Sequence, residues 1–100
     1  MSRGDDVAVD LERHREAIRR IAASHGAHRL RIFGSVARGE GRPDSDLDLL
    51  LELEPGRDLL DLVAIKLDIR ELLGRDVDVV TEASISPYMR EGILRDAVPL

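Results

Sequence analysis

The sequence predicts an α/β (α+β) fold, a small mixed β-sheet covered by helices. Segments with apolar residues at helical spacing alternate along the chain with short aliphatic segments of strand character. Gly and Pro stand between many of these segments, where turns are expected. The core must be aliphatic, because 43% of the 100 residues are hydrophobic and only 2% are aromatic.

In the first half of the chain, the sequence pattern predicts a long helix followed by two strands with a short helical segment between them. Gly26 is expected to end the first helix. The next strand alternates Leu and Ile with Arg, and a loop rich in Gly and Pro precedes the second strand. The predicted elements are a helix at about 9–25, a strand at 28–33, one or two helical turns at 35–40 and a strand at 45–53.

The second half predicts a helix, a strand and a final short helix. Asp58 is a good N-cap for a helix from Leu59 to Leu73, which Gly74 ends. A third strand covers 75–81, and the last helix starts with Ser86 as its cap and Pro87 at its first position. We expect one domain over residues 1–100, with residues 1–8 flexible.

Composition limits the classes of function. A net charge of −5 argues against a dedicated nucleic-acid binder, which would show a basic face, but it does not exclude a nucleotide bound with a metal ion. The absence of cysteine excludes disulfides and thiolate metal sites. No apolar stretch approaches the roughly 20 residues of a membrane span, and the N-terminal segment lacks the apolar run typical of a signal peptide. The expected location is the cytoplasm.

Three aspartates interrupt otherwise apolar strands. Asp46 and Asp48 stand two residues apart, so their side chains share one strand face, roughly 6–7 Å apart at the backbone. Asp78 lies between valines in the third strand and joins them if the two strands are neighbours. Carboxylates this close repel, and Mg²⁺ relieves the repulsion because it takes oxygen ligands. The pattern predicts a site for two Mg²⁺ ions about 3.5–4 Å apart, an arrangement used in phosphoryl and nucleotidyl transfer.

The Gly34–Ser35 pair predicts the nucleotide-binding part of the same site. Glycine lets the backbone approach a phosphate closely, and a following helix N-terminus presents free N–H groups to an anion. The hydroxyl of Ser35 can donate to a terminal phosphate oxygen. Arg38 is placed to support the phosphates or to pair with Glu40 or Asp44.

Simpler interpretations compete with this site. A carboxylate pair in a strand also protects a sheet edge from aggregation, and the "DLD" pattern alone favours that view. The upstream Gly-Ser pair and the third aspartate favour the metal site. A calcium loop is excluded, because Leu49 and Pro55 occupy the positions that require Gly and Glu. A P-loop is excluded because "GSVARGEGR" lacks its Lys-Ser/Thr ending.

The segment "GSVARGEGRPDSDLDLLL" resembles the signature of the DNA polymerase β nucleotidyltransferase superfamily, specifically its minimal, single-domain (MNT) branch. The resemblance extends over nearly the whole chain and includes "LLGRDVDVVT". It implies a polymerase β-like fold in which Gly34 and Ser35 bind the triphosphate. It also implies that Asp46 and Asp48 ligate both Mg²⁺ ions. Asp78 would complete the metal site and help activate the acceptor hydroxyl.

Proteins of this branch are similar to antitoxins encoded beside RNA-cleaving HEPN-domain toxins. The resemblance therefore implies an enzyme that transfers AMP from ATP to a tyrosine of a HEPN-domain toxin. The toxin would be its partner, and the two chains would form a hetero-oligomer where they stay bound. Direct nucleic-acid and membrane partners are not expected. Two alternatives remain: a binding module that neutralises its partner by contact alone, and nucleotidyl transfer to a small molecule such as an aminoglycoside. The complete acidic triad favours the enzyme, and 100 residues leave little room for an acceptor domain.

Overall fold

The structure, a computed structural model, describes residues 6–42 and 45–100, with the backbone alone for residues 6–10. Its strands are β1 (Ala27–Phe33), β2 (Leu47–Leu53), β3 (Val77–Thr81) and β4 (Val98–Pro99). Its helices are α1 (Asp6–Ser24), α2 (Gly34–Ala37), α3 (Leu59–Leu73) and α4 (Pro87–Asp96), with a 3-10 helix at Glu82–Ser84.

The four strands form one mixed sheet in the order β3-β2-β1-β4. β2 runs parallel to β3 and antiparallel to β1, while β1 pairs antiparallel with β4. The parallel pair is possible because α3 supplies the crossover between its two strands. This mixed sheet with its covering helices confirms the predicted fold class.

The core lies between the sheet and helices α1 and α3. Three leucines of β2, Leu47, Leu49 and Leu51, are fully buried there, since alternation turns all three to the same face. Each such leucine stabilises the fold by roughly 1.5–3 kcal/mol through the apolar surface it removes from water. The helical residues packed in the same cluster are Leu11, Ile18, Ala22, Ile65 and Ile69.

Helix α3 shows why the local sequence was sufficient to place its ends. The side chain of Asp58 accepts a hydrogen bond from the backbone N–H of Leu60 at 2.9 Å, and the N–H of Asp58 donates to the Asp61 carboxylate at 3.1 Å. Gly74 ends the helix in the left-handed conformation, with φ +67°. The predicted boundaries, Leu59 to Leu73, are confirmed.

Other boundaries differ from the prediction. Helix α1 begins at Asp6 rather than near Val9, so it includes residues 6–8, while residues 1–5 lie outside the described part of the chain. The 3-10 helix and β4 were not predicted. β4 is two residues long and forms only through its pairing with Arg31 and Ile32. No local sequence pattern indicates this pairing. None of the helices that the structure describes has the length and hydropathy of a membrane span.

Candidate active site

The turn between β1 and α2 is built around Gly34. Its φ of +76° lies in the left-handed region, which glycine adopts without the cost other residues incur. A Cβ atom at this position would stand 2.3 Å from Oδ2 of Asp48. The turn therefore requires glycine for two reasons, and its backbone lies directly against the Asp48 carboxylate.

Asp48 and Asp78 are neighbours across the parallel strands. The register of β2 and β3 pairs Asp48 with Asp78, and that of β1 and β2 pairs Phe33 with Asp48. Directly paired residues present their side chains to the same sheet face, about 4.8 Å apart along the hydrogen-bonding direction. Asp48 is half-buried and Asp78 is exposed. The structure thus brings together the two carboxylates that the sequence could place only on separate strands.

The electrostatic surroundings of Asp48 disfavour its ionised form. Partial burial raises the pKa of its carboxyl group, and the negative charges of Asp78 and Asp46 raise it further. The guanidinium of Arg38 acts in the opposite direction but does not cancel these effects. A cation placed between the carboxylates would favour the ionised form.

A cleft of about 670 Å³ opens above this pair of aspartates. Gly34, Arg38, Asp48 and Asp78 all line it, together with residues of the 3-10 helix region and of α4. Its volume is in the range of ligand-binding pockets. Four residues singled out in the sequence therefore share one cavity.

Two other predicted site residues lie beside the cleft rather than in its wall. Ser35 is half-buried in the first turn of α2, and its carbonyl accepts a hydrogen bond from the N–H of Glu40 at 2.8 Å. Asp46 is exposed just before β2, and its influence on the site is the charge that raises the pKa of Asp48. Their assigned roles stay predictions.

Arg38 is held by two carboxylates. Its Nη1 donates to Oδ2 of Asp96 at 2.7 Å, and its Nε donates to Oε1 of Glu40 at 3.3 Å. Both hydrogen bonds raise the pKa of Arg38, the one with Asp96 more. The predicted pairing with Glu40 is confirmed, whereas Asp44 lies outside the described residues. Asp96 was not anticipated as a partner, because 58 residues separate the two in sequence.

Sequence reasoning missed the helical wall of the cleft. Ser86, Met89, Ile93 and Asp96 of this region all line the cavity. They stand three, four and three residues apart, which is the spacing of a single helix face. That spacing could have grouped them, but nothing local shows which surface the face covers.

The donor set fits Mg²⁺. Asp48 and Asp78 offer hard carboxylate oxygens of the kind that Mg²⁺ prefers, and the raised pKa of Asp48 indicates a site that a positive charge would stabilise. Within the described residues, no group of three or more His, Asp or Glu side chains is arranged to hold a metal ion. The full three-aspartate site and its two ions therefore stay a prediction.

Comparisons with known proteins agree with this geometry. A family model described as Nucleotidyltransferase domain matches residues 7–100. A putative protein adenylyltransferase of Methanocaldococcus jannaschii is 47% identical over 78 residues, covering 78% of this chain and 84% of that protein. The protein adenylyltransferase MntA of Thermococcus cleftensis is 30% identical over 94 residues, covering 94% of this chain and 92% of its own.

Two solved structures share the architecture. A putative minimal nucleotidyltransferase with 54% sequence identity superposes with a TM-score of 0.80, over 90% of this chain and 92% of the other. A toxin-antitoxin crystal structure with AMP-PNP superposes with a TM-score of 0.72 at 19% identity, over 84% of this chain and 69% of that one. The second likeness concerns the fold alone.

Proposed function

The chain belongs to the nucleotidyltransferase domain family, and from this premise we propose that it transfers AMP from ATP to a tyrosine hydroxyl of a HEPN-type toxin, and so acts as an antitoxin. The observation that carries the proposal is the pairing of Asp48 with Asp78 in a cleft directly beside Gly34. The relatives named as protein adenylyltransferases support a protein acceptor. The toxin partner and the adenine nucleotide extend to this chain what the toxin-antitoxin structure with AMP-PNP, which shares the fold, contains.

In the proposed reaction, the acceptor hydroxyl attacks the α-phosphorus of ATP in line. A new O–P bond forms, the bond to the β-phosphate breaks, and pyrophosphate leaves. Gly34 and Ser35 hold the triphosphate through backbone N–H groups and a hydroxyl, while Arg38 offsets its charge. Asp78 accepts the proton of the attacking hydroxyl. Catalysis comes mainly from positioning and charge neutralisation.

Asp46, Asp48 and Asp78 are the residues that would hold Mg²⁺, which would neutralise phosphate charge and polarise the α-phosphoryl group. Without a cation, these carboxylates would repel the nucleotide, and burial together with the charges of Asp78 and Asp46 already raises the pKa of Asp48. The chain's own contribution is to set the carboxylates side by side, which the β2–β3 register achieves.

The rim of the cleft suits a protein acceptor. Tyr88 is 98% exposed and Met89 60% exposed at the start of α4, and Met89 also lines the cleft. Tyr and Met are enriched in protein–protein interfaces. This favours a partner chain over an aminoglycoside as the source of the acceptor hydroxyl.

The proposal is tested by label transfer. The purified chain is incubated with ATP labelled at the α-phosphate, Mg²⁺ and the product of the neighbouring gene, and mass spectrometry locates the adduct. An Asp46→Asn/Asp48→Asn variant is compared with Asp68→Asn, which removes a carboxylate from α3 instead. We expect label on a partner tyrosine with the wild type and with Asp68→Asn, and none with the double variant.

The outcomes separate the alternatives. If the wild type neutralises the partner without transferring label, the chain acts by contact alone and the proposed reaction is wrong. If an aminoglycoside becomes labelled while the partner does not, the acceptor is a small molecule. Label that persists in the double variant would mean that the aspartates are not the catalytic residues.

A further inference from the structure

Asp96 connects helix α4 to the nucleotide side of the cleft through Arg38. The two side chains meet at 2.7 Å, with Asp96 28% exposed and Arg38 44% exposed. Glu40 holds the Nε edge of the same guanidinium at 3.3 Å but is 65% exposed. The remaining terminal nitrogen, Nη2, has no hydrogen-bond partner within residues 11–42 and 45–100. Of the two carboxylates that hold Arg38, Asp96 is therefore the one better shielded from solvent.

Helix α4 is tied down at both ends of the cleft. Near its start, Nη1 of Arg90 donates to the carbonyl of Glu82 in the 3-10 helix at 3.0 Å. At the other end of the helix, its last residue, Asp96, accepts a hydrogen bond from Arg38 next to the Gly34 turn. The Arg38 guanidinium consequently has a fixed place relative to the opposite wall of the cavity.

Charge explains why such an anchor matters here. A carboxylate in a cleft for a triphosphate would repel the ligand unless a cation neutralised it. Short hydrogen bonds between guanidinium and carboxylate are strong and directional, so the pair can stay formed while another nitrogen of the arginine serves the ligand. Without Asp96, Arg38 would be left with its bond to the exposed Glu40 and would lose its fixed orientation.

We propose that Asp96 is a positioning residue for the nucleotide: it holds Arg38 so that Nη2 remains for a phosphate oxygen. The inference rests on the proposed nucleotidyl transfer and adds to it a residue from the far end of the chain. It also explains why α4 ends on an aspartate that faces the cavity rather than solvent.

The test uses the full chain with four variants: Asp96→Asn, Asp96→Glu, Arg38→Ala and the Arg38→Ala/Asp96→Asn pair. Glu91→Gln is the matched control, because Glu91 pairs with Arg95 at 3.2 Å on the same helix but away from the cleft. Binding of a fluorescent ATP analogue and the KM and kcat of label transfer are measured, and thermal melting confirms that each variant folds.

We expect Asp96→Asn to weaken ATP binding and raise the KM about tenfold, the effect of one hydrogen bond to a charged group, with kcat little changed. Asp96→Glu should recover most of the affinity, and Asp96→Asn should add nothing in the Arg38→Ala background. Should Asp96→Asn not fold, Asp96→Glu and Arg38→Ala decide: the proposal requires Asp96→Glu to bind ATP more tightly than Arg38→Ala.

Two results would overturn the proposal. Unchanged or tighter ATP binding in Asp96→Asn would mean that Asp96 does nothing for Arg38 or competes with the nucleotide for it. Additive effects of Asp96→Asn and Arg38→Ala would mean that the two residues act separately. If the wild type transfers label while Asp96→Asn binds ATP normally, this inference fails alone, whereas a wild type that binds no ATP defeats the proposed function as well.

Discussion

Replacing Asp48 by Asn is expected to stabilise the protein when no divalent cation is present, although it removes a residue of the proposed active site. Asp48 is half-buried and pairs directly with Asp78 across the parallel strands, so ionised Asp48 faces both desolvation and like charge. Asn keeps the size and polarity of the side chain but cannot carry the charge. The substitution therefore removes a repulsion that folding creates.

The size of the effect follows from the strand spacing. Two charges about 5–6 Å apart interact by about 3 kcal/mol at an effective dielectric constant of about 20, and by under about 1 kcal/mol in bulk water. Because Asp78 is exposed, solvent screening places the gain near the lower end. We expect the free energy of unfolding to rise by about 1 kcal/mol, which corresponds to a melting temperature about 4–8 °C higher for a domain of this size.

The dependence on pH has a defined sign. The pKa of Asp48 is raised above its ordinary value of 3.8 in the folded protein, so the folded state retains a proton that the unfolded state releases first. As pH rises from about 4 through the raised pKa, the contribution of Asp48 to the free energy of unfolding falls. The stability difference between Asp48→Asn and wild type should be smallest at acid pH and full near neutrality.

Thermal or urea unfolding in the presence of EDTA measures this difference, and Glu71→Gln on α3 controls for the loss of one negative charge. Adding Mg²⁺ should stabilise the wild type and narrow the gap, because a ligand that binds only the folded state raises its stability. If Asp48→Asn is less stable than wild type in EDTA at neutral pH, or gains no more than Glu71→Gln, the repulsion argument is refuted.

Two further substitutions test the turn and the helix cap. Gly34→Ala should lower the melting temperature more than Gly74→Ala and should abolish label transfer. Both substitutions add a Cβ atom at positive φ, but only the one at Gly34 meets the Asp48 carboxylate. Equal melting temperatures of the two variants and retained activity in Gly34→Ala would contradict the described turn. Asp58→Ala should lower the free energy of unfolding by about 1 kcal/mol through loss of the α3 cap, without changing the KM for ATP; a change in KM would show that α3 takes part in nucleotide binding.

Sequence reasoning succeeded where structure is decided locally. The ends of α3 follow from Asp58 and Gly74, whose capping roles depend on the residues beside them. The faces of β2 follow from alternation, which separated Asp48 from the leucines that pack into the core. Such features need no knowledge of what lies across the sheet.

The sequence could not supply contacts between distant segments. The register that sets Asp48 beside Asp78 depends on how α3 returns the chain, and Asp96 meets Arg38 across 58 residues of sequence. β4 was not predicted for the same reason, since a strand of two residues forms only by pairing with the edge of β1. The Asp96 side of the cleft was consequently missed.

The same alternation that forms the core also protects the site. A slip of β2 by one residue would turn Asp48 into the aliphatic core and move Leu47, Leu49 and Leu51 out of it, at a cost of several kcal/mol. The register of β2 is therefore strongly specified by its apolar face, and the opposite face can carry repelling carboxylates without shifting. The destabilised pair of carboxylates is tolerated because the leucines that hold Asp48 in register are fully buried in the same strand.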